Sequence, residues 1–259
     1  MLEVLSLVEG RFFTAGARDL RVGDRWVRSE IWEPSPRGAA AEPLWYSLDL
    51  LPFVEVAARG YTETLRESRG LDVAIESFFA HSSYLEVKLV TVQTTLEYLV
   101  GAFERANALS GSVLSKDEFT QHVRPKMEAA IDEVIRGLPT EIGESSIKRA
   151  EELFDAKLGG LNALTIRERL FRMLGSDGVP YAGLELPIRD AIRTRGGTVH
   201  GRGTSPGQSS EYVRHIAVLR ELVKRIFLTL VGYKGRYISY LNGSEDVDFP
   251  PTTATVVKP

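Results

Sequence analysis

The chain has 259 residues, of which 43% are hydrophobic, so it is long enough to bury a sizeable core. Its formal net charge of −3 excludes a general polyanion binder, and any nucleic-acid contact must come from a local patch. The absence of cysteine excludes disulfides, thiolate nucleophiles and cysteine-ligated zinc. Because no signal peptide or membrane span is indicated, we expect a soluble, cytoplasmic protein without membrane contacts.

The first 44 residues differ in pattern from the rest of the chain. Alternating apolar residues from Leu20 to Ile31 flank the turn-prone pair Gly23-Asp24, which predicts one or two short strands. The proline-containing stretch at 33–43 then predicts a linker or a surface loop. Residues 1–44 are therefore interpreted as a small β-rich N-terminal segment with a linker.

From residue 45 the apolar spacing becomes helical. The stretch 47–68 predicts one helix with Pro52 near its start. A single apolar stripe then predicts a helix of roughly 25 residues that either fills the core, the favoured interpretation, or forms a dimer seam. The stripe consists of Leu85, Leu89, Val92, Leu96, Leu99 and Phe103.

Two capping boxes mark further helix starts. Ser115 and Glu118 have the spacing at which each side chain satisfies the backbone N–H of the other residue, and Thr165 and Glu168 repeat it. The helix that begins at Ser115 is predicted to be interrupted at Pro125, because proline cannot donate a backbone hydrogen bond.

The remaining apolar patterns complete a helical fold. Two more helices are predicted over 141–157 and 188–195. The last long helix carries an apolar stripe from Val213 to Leu230 and is predicted to end at Gly232. The tail from Asp248 is predicted to be loose. We therefore expect an all-α bundle with a small β-rich N-terminal appendage, residues 45–259 forming one helical domain.

The candidate chemistry lies in the stretch IRTRGGTVHG, which places Gly196 and Gly197 between Arg195 and His200. No glycine-rich phosphate loop, HExxH motif or serine nucleophile elbow occurs, so neither a metal nor a cofactor is predicted. The many carboxylates lie on amphipathic helices, where solvation explains them. The Arg-x4-His pair is therefore the strongest candidate site.

The charge around this stretch favours an anionic ligand. Between Leu186 and Arg225 there are eight Lys or Arg residues and three acids, a local excess of five positive charges on a chain that is negative overall. Such an excess is typical of a nucleic-acid contact. The alternative interpretation is a solvated basic face around a glycine-terminated helix.

The same residues resemble the HEPN superfamily, and most closely its ApeA-type branch. In that branch an Arg-x4–6-His motif at the end of one helix precedes a long helix that ends in Gly-Tyr-x-Gly. Here the motif falls on Arg195 and His200, and the ending falls on residues 232–235. The resemblance covers roughly residues 80–242 and is most specific over 188–240.

The resemblance implies an α-helical bundle that acts as a metal-independent endoribonuclease in a toxin or antiviral-defence system. It also implies a homodimer in which both motifs face one cleft. Arg195 and His200 are the implied catalytic residues, and RNA is the implied partner. Further contacts to RNA are predicted for Arg193, Arg202, Gly196 and Gly197.

The residue types suit this chemistry independently. RNA is cleaved when its 2′-hydroxyl attacks the adjacent phosphate, which requires a base, an acid and positive charge on the phosphorane. Histidine can act as base or acid near neutral pH, and the planar fork of arginine binds a phosphate through two oxygens. The two glycines would let the backbone turn and approach a phosphate closely.

Two alternatives stay open at this point. The residue after the motif arginine is usually polar in the family, whereas here it is Gly196. That departure fits a catalytically inactive HEPN module that binds RNA or nucleotide or mediates dimerisation. A purely structural helical adaptor is the third possibility.

Two arginines fit the spacing of the motif, Arg195 with four residues before His200 and Arg193 with six. Arg193 fits the longer spacing of six intervening residues, but on a helix it points about 200° away from Arg195. We therefore expect Arg195 to act with His200. Arg193 is expected to point away, toward an acidic residue on a neighbouring helix.

Overall fold

The computed structural model describes residues 13–22, 25–34, 50–79, 84–139, 142–194, 208–252 and 257. These residues are mostly helical, as predicted. No helix among them is both long enough and apolar enough to cross a membrane. In chain order the elements are β1 (Phe13–Val22), β2 (Arg25–Pro34), α1 (Leu50–Gly60), α2 (Glu63–Ser68), α3 (Leu71–Phe79), α4 (Leu85–Ala106), α5 (Lys116–Glu118), a π-helical turn (Phe119–Val123), α6 (Arg124–Arg136), α7 (Glu144–Leu158), a 3-10 turn (Gly159–Asn162), α8 (Ile166–Asp177), α9 (Glu185–Arg193), α10 (Gln208–Leu230), β3 (Gly235–Ser239) and β4 (Glu245–Phe249).

The chain divides into two compact units. Unit 1 consists of Met1–Ala106 together with Leu170–Pro259, and unit 2 consists of Asn107–Arg169. Unit 1 is thus built from two stretches of chain, and unit 2 is the stretch between them. The expected boundary between residues 44 and 45 stays a prediction.

Two strands lie where the N-terminal pattern indicated them. β1 and β2 pair antiparallel, with Val22 opposite Arg25 and Phe13 opposite Pro34. This register leaves two residues for the connection, Gly23 and Asp24, which lie outside the described residues. The alternating pattern thus corresponds to a two-stranded antiparallel sheet.

The prediction of one helix over 47–68 was wrong. The chain leaves α1 at Gly60, and α2 begins after Thr62, whose side chain accepts a hydrogen bond from the Leu65 backbone N–H at 3.3 Å. Thr62 is the N-cap residue of α2 and has an extended backbone conformation. The chain is therefore not helical at Thr62, and α1 and α2 are separate helices. A Cβ on Gly60 would lie 2.3 Å from the Val231 carbonyl oxygen, so glycine permits this close approach of two backbones.

Helix α4 confirms the predicted apolar stripe. Leu89, Val92, Leu96, Leu99 and Phe103 are all buried, and Leu85 at the helix start is half-buried. Within unit 1 this helix packs against α3 and α10. The stripe therefore fills the core of the chain, as the favoured interpretation expected.

Helix α10 is buried on all sides along its centre. Every residue from Val218 to Leu228 is buried except Arg220, so this helix forms the middle of unit 1 rather than a surface layer. The predicted stripe was wrong at its first position, because Val213 is 54% exposed.

The predicted end of the last helix at Gly232 is confirmed. Gly232 has a φ of +74° and its N–H bonds to the Thr229 carbonyl at 3.0 Å, while the Tyr233 N–H bonds to the Leu228 carbonyl at 2.9 Å. This pair of bonds is a Schellman motif, which satisfies the last carbonyls of the helix.

A second sheet follows the helix, and the sequence analysis did not predict it. β3 and β4 pair antiparallel, with Tyr237 opposite Val247. Tyr237 and Phe249 are buried, and their rings meet edge to face with centroids 5.9 Å apart. The expectation that the chain is loose from Asp248 onward was therefore wrong for Asp248 and Phe249, which belong to β4.

Unit 2 is a helical hairpin whose start is tied to its end. The Asn162 side chain accepts from the Leu114 N–H and donates to the Leu114 carbonyl, both at 2.9 Å. Arg124 of α6 bonds Asp155 of α7 at 2.9 Å. Helix α7 begins at Glu144, later than the predicted start.

Both capping boxes are confirmed. The Ser115 N–H donates to the Glu118 carboxylate at 3.0 Å and the Glu118 N–H donates to the Ser115 hydroxyl at 3.2 Å. The Thr165 and Glu168 pair makes the same two bonds at 2.8 and 3.3 Å. The predicted interruption at Pro125 takes the form of a π-helical turn directly before α6, which has the proline in its first turn.

Candidate functional site

The predicted motif lies between the end of α9 and the start of α10. Of its residues, Arg193 lies in the described part of the chain, and so does Thr194, the residue that follows it. Arg195, Gly196, Gly197, His200 and Arg202 lie outside the described residues. The described residues nearest to the motif are therefore the end of α9 and the start of α10.

Arg193 forms the exposed last turn of α9. Its side chain is 85% exposed, and its guanidinium lies 3.4 Å from a carboxylate oxygen of Asp190, one turn earlier on the same helix. The prediction that Arg193 pairs with an acidic residue of a neighbouring helix was wrong, because Asp190 belongs to the same helix. An exposed pair of this kind contributes little to stability, so Arg193 is held loosely at the border of the motif.

Thr194 ties the end of α9 to α10. Its hydroxyl donates to the Asp190 carbonyl at 3.0 Å and lies 3.2 Å from Nδ1 of His215. Because the hydroxyl proton is used for the carbonyl, Nδ1 carries the proton of the second bond. The chain therefore enters the motif from a point fixed on the side of α10.

His215 is the functional candidate that the sequence analysis missed. Its side chain is 1% exposed, and its Nε2 lies 3.9 Å from Glu211, with no hydrogen-bond partner among the described residues. Burial lowers the pKa of His215, and Arg214 lowers it further, while Glu211 and Asp190 oppose the shift. The sequence does contain a signal for the burial of His215. This histidine lies three residues after Tyr212, which is buried, and that spacing places both side chains on the core face of α10.

The buried imidazole predicts a pH dependence of stability. The folded pKa lies below the usual 6.5, so between these two values the unfolded chain binds more protons. The contribution of His215 is therefore fully present above about pH 6.5 and is lost as the pH falls toward the folded pKa. We expect His215→Gln to unfold with a shallower pH slope than the wild type in urea titrations from about pH 5 to about pH 8. Equal slopes for the two proteins would contradict this assignment.

The basic segment is not a single surface patch. Arg225 and Lys224 are each 2% exposed, and the Arg225 guanidinium bonds the Glu221 carboxylate and the Pro180 carbonyl, each at 3.0 Å. The Lys224 ammonium lies 4.3 Å from the centroid of the Tyr240 ring. Two of the eight counted cations therefore belong to the core, because α10 is buried on all sides there.

The Glu221 carboxylate organises this buried network. One of its oxygens accepts from Arg225 and from the Tyr237 hydroxyl of β3. Burial and, secondarily, the Glu221 charge raise the pKa of Tyr237, so the phenol stays protonated as a donor. The network joins α10 to the C-terminal hairpin.

Comparison with known proteins found no matching family model, no similar curated protein and no similar solved structure. Across the described ranges, no three His, Asp or Glu side chains cluster closely enough to hold a metal ion.

Proposed function

We propose that this chain is a metal-independent endoribonuclease of HEPN type whose catalytic residues are Arg195 and His200. The observation that carries the proposal is the position of the motif among the helices. The motif segment follows α9 and precedes α10, a helix of 23 residues that is followed by Gly232–Gly235. The resemblance requires this order of a motif, a long helix and a Gly-Tyr-x-Gly ending.

The bordering residues support a precise site. Thr194 is bonded to α9 and α10 at the same time, so the last residue before Arg195 has a fixed position. A base or acid must be held within hydrogen-bond reach of the proton that it transfers. A motif that starts from a packed helix end meets this requirement better than one on a long free loop.

The proposed reaction needs no metal. His200 takes the proton of the 2′-hydroxyl or delivers one to the 5′-oxygen that leaves, and Arg195 stabilises the phosphorane charge. One histidine cannot be in both protonation states at once, so a second copy across a two-fold axis would supply the other role. We therefore include a homodimer with a shared cleft in the proposal. The resemblance further suggests a role in antiviral defence or as a toxin.

The test is incubation of the purified chain with a structured RNA pool in EDTA. We expect cleavage that leaves 2′,3′-cyclic phosphate and 5′-hydroxyl ends, because the 2′-oxygen is the nucleophile. Sedimentation of the same sample should show a dimer at tens of micromolar protein. Strict dependence on Mg²⁺ or Mn²⁺, or a monomer that cleaves at full rate, would contradict the mechanism.

A second candidate function rests on Gly196. The family usually has a polar residue at this position, and glycine supplies no side-chain hydrogen bond to the site. An inactive module would bind RNA or nucleotide, or dimerise, without cutting. Saturable RNA binding with intact RNA after long incubation would favour this alternative over the nuclease.

A further inference from the structure

The C-terminal end of α9 is bonded to side chains of two core helices. The last carbonyl groups of a helix have no partner inside it and are satisfied by side chains, water or a tighter final turn. The Ala191 carbonyl accepts from Nε2 of Gln93 in α4 at 2.7 Å. The Asp190 carbonyl accepts from the Thr194 backbone N–H at 3.2 Å and from the Thr194 hydroxyl at 3.0 Å, and this hydroxyl is bonded to His215 of α10.

Both of the side chains that hold the end of α9 are surrounded by the core. Gln93 is 4% exposed and His215 is 1% exposed, and their helices pack against each other within unit 1. A buried side chain has already lost its rotamer freedom on folding, so it holds a bonded group at little further entropic cost. These bonds therefore fix the end of α9 more firmly than the exposed pair of Arg193 and Asp190 does.

The bond from Gln93 lies at the point where the hydrogen-bond pattern of α9 ends. In a continuous helix the Ala191 carbonyl would accept from the backbone N–H of residue 195, four positions later. Gln93 supplies a donor to this carbonyl from α4, so the carbonyl is satisfied whether or not the helix continues. The predicted motif begins at that same position, with Arg195.

We propose that Gln93 and His215 are positioning residues for the nuclease site: they hold the end of α9 on the core, and with it the residue that precedes Arg195. This inference rests on the proposed function. Both side chains are buried, so they act through α9 and not by contact with RNA. Because a displacement of about 1 Å can cost roughly 100-fold in rate, loss of either bond is expected to slow cleavage more than it weakens RNA binding.

Variants of Thr194 and His215 test the bond between them. Thr194→Val keeps the shape but removes the hydroxyl, and His215→Leu removes the ring N–H. Each should lower the single-turnover cleavage rate at least about tenfold and change RNA affinity less than about twofold. His215→Asn places an amide nitrogen close to the position of Nδ1, so its rate should stay within about threefold of the wild type. The double variant should be no slower than Thr194→Val alone, because both changes break the same bond.

Gln93→Leu tests the second bond and is expected to slow cleavage at least about tenfold as well. Thr95→Val is the matched control. Thr95 is 3% exposed on the same helix, and its hydroxyl donates to the Thr91 carbonyl of that helix at 2.9 Å. The control therefore removes a hydrogen bond of a buried side chain that does not involve α9, and its rate should stay within about twofold of the wild type. Melting curves verify that all variants fold.

Trypsin gives a readout that does not depend on RNA. Proteolysis requires local opening of the backbone, so the rate of cleavage after Arg193 reports how firmly the end of α9 is held. The first cut is identified from the masses of its two fragments. We expect Thr194→Val, His215→Leu and Gln93→Leu each to raise this rate about fivefold. Cleavage after Arg136, at the end of α6 in unit 2, should not change.

The outcomes separate this inference from the nuclease proposal. If the wild type cuts RNA and the Thr194→Val, His215→Leu and Gln93→Leu proteins cut equally fast, the positioning role is overturned and the nuclease proposal stands. A His215→Asn protein as slow as His215→Leu would overturn the role of the bond to Thr194. If the wild type cuts no RNA, the nuclease proposal fails and the tryptic rates decide. Equal rates of cleavage after Arg193 in the wild type and the variants would then overturn the hold on α9.

Discussion

Replacing His200 by Ala is expected to reduce the rate of RNA cleavage at least about 100-fold, because general acid–base catalysis contributes roughly 10²–10⁴-fold. Arg195→Ala should lose a comparable factor, since it removes the cation that we propose stabilises the phosphorane. Neither change removes an apolar side chain, so we expect the melting temperature to stay near that of the wild type.

Arg193→Ala is the matched control for the register of the motif. Arg193 is 85% exposed and pairs with Asp190 of its own helix, so its loss should lower RNA affinity modestly and leave the cleavage rate nearly unchanged. Thr194, the polar residue of the longer register, already bonds the Asp190 carbonyl and His215. These bonds favour Arg195 as the active arginine.

The three variants are compared by single-turnover cleavage rate, RNA binding and thermal melting. Separate measurement of binding and rate distinguishes a lost phosphate contact from a lost catalytic group. The shorter register fails if Arg193→Ala is as inactive as His200→Ala while Arg195→Ala cuts normally. In that case Gly196 would no longer occupy the polar position.

Arg225→Met is expected to lower the free energy of unfolding by about 3–5 kcal/mol, the range for breaking a buried ion pair by removing one partner. Arg225 is 2% exposed and Glu221 is 1% exposed, so the remaining carboxylate has little water to solvate it. The Pro180 carbonyl also loses its hydrogen bond. Urea unfolding of the two proteins at pH 7 measures the difference.

Two further variants separate charge from packing. Arg214→Met changes the same residue type at an exposed position of α10 and should stay within about 0.5 kcal/mol of the wild type. Glu221→Gln combined with Arg225→Met should recover part of the loss, because the unpaired charge disappears. An Arg225→Met protein within about 1 kcal/mol of the wild type would contradict this expectation, because breaking the buried pair would then cost little.

Local sequence signals predicted much of the helical part of unit 1 and unit 2. The stripe of α4, both capping boxes and the glycine end of α10 each depend on residues within a few turns of each other. Hydrogen bonds at helix ends are local, so residue type and spacing determine them. The split between α1 and α2 was missed although Thr62 offered a cap.

The burial of α10 could not be read from local patterns. Glu221 and Arg225 are four residues apart, the spacing of an exposed helix pair, and nothing near them in sequence reveals that other elements cover them. What buries them is tertiary: Tyr237 of β3 and Pro180, distant along the chain. The sequence pattern therefore predicted more exposure for Lys224 and Arg225 than the structure shows.

The C-terminal hairpin, by contrast, did have a sequence signal. Asn242-Gly243 is a turn-prone pair, and Gly243 has the positive φ of +99° that glycine accommodates. The candidate site stays a prediction at Arg195 and His200, whereas His215 and Thr194 emerged from the packing of α9 on α10.

The discontinuous make-up of unit 1 has a consequence for synthesis on the ribosome. Helices α1–α4 are made first, but α10, which covers the apolar face of α4, begins 102 residues after α4 ends. At typical rates of elongation that delay is on the order of ten seconds. During this interval the nascent N-terminal helices present uncovered apolar surface, while unit 2, whose contacts are local, can already form. The apolar face of α4 is therefore covered only after α10 has left the ribosome.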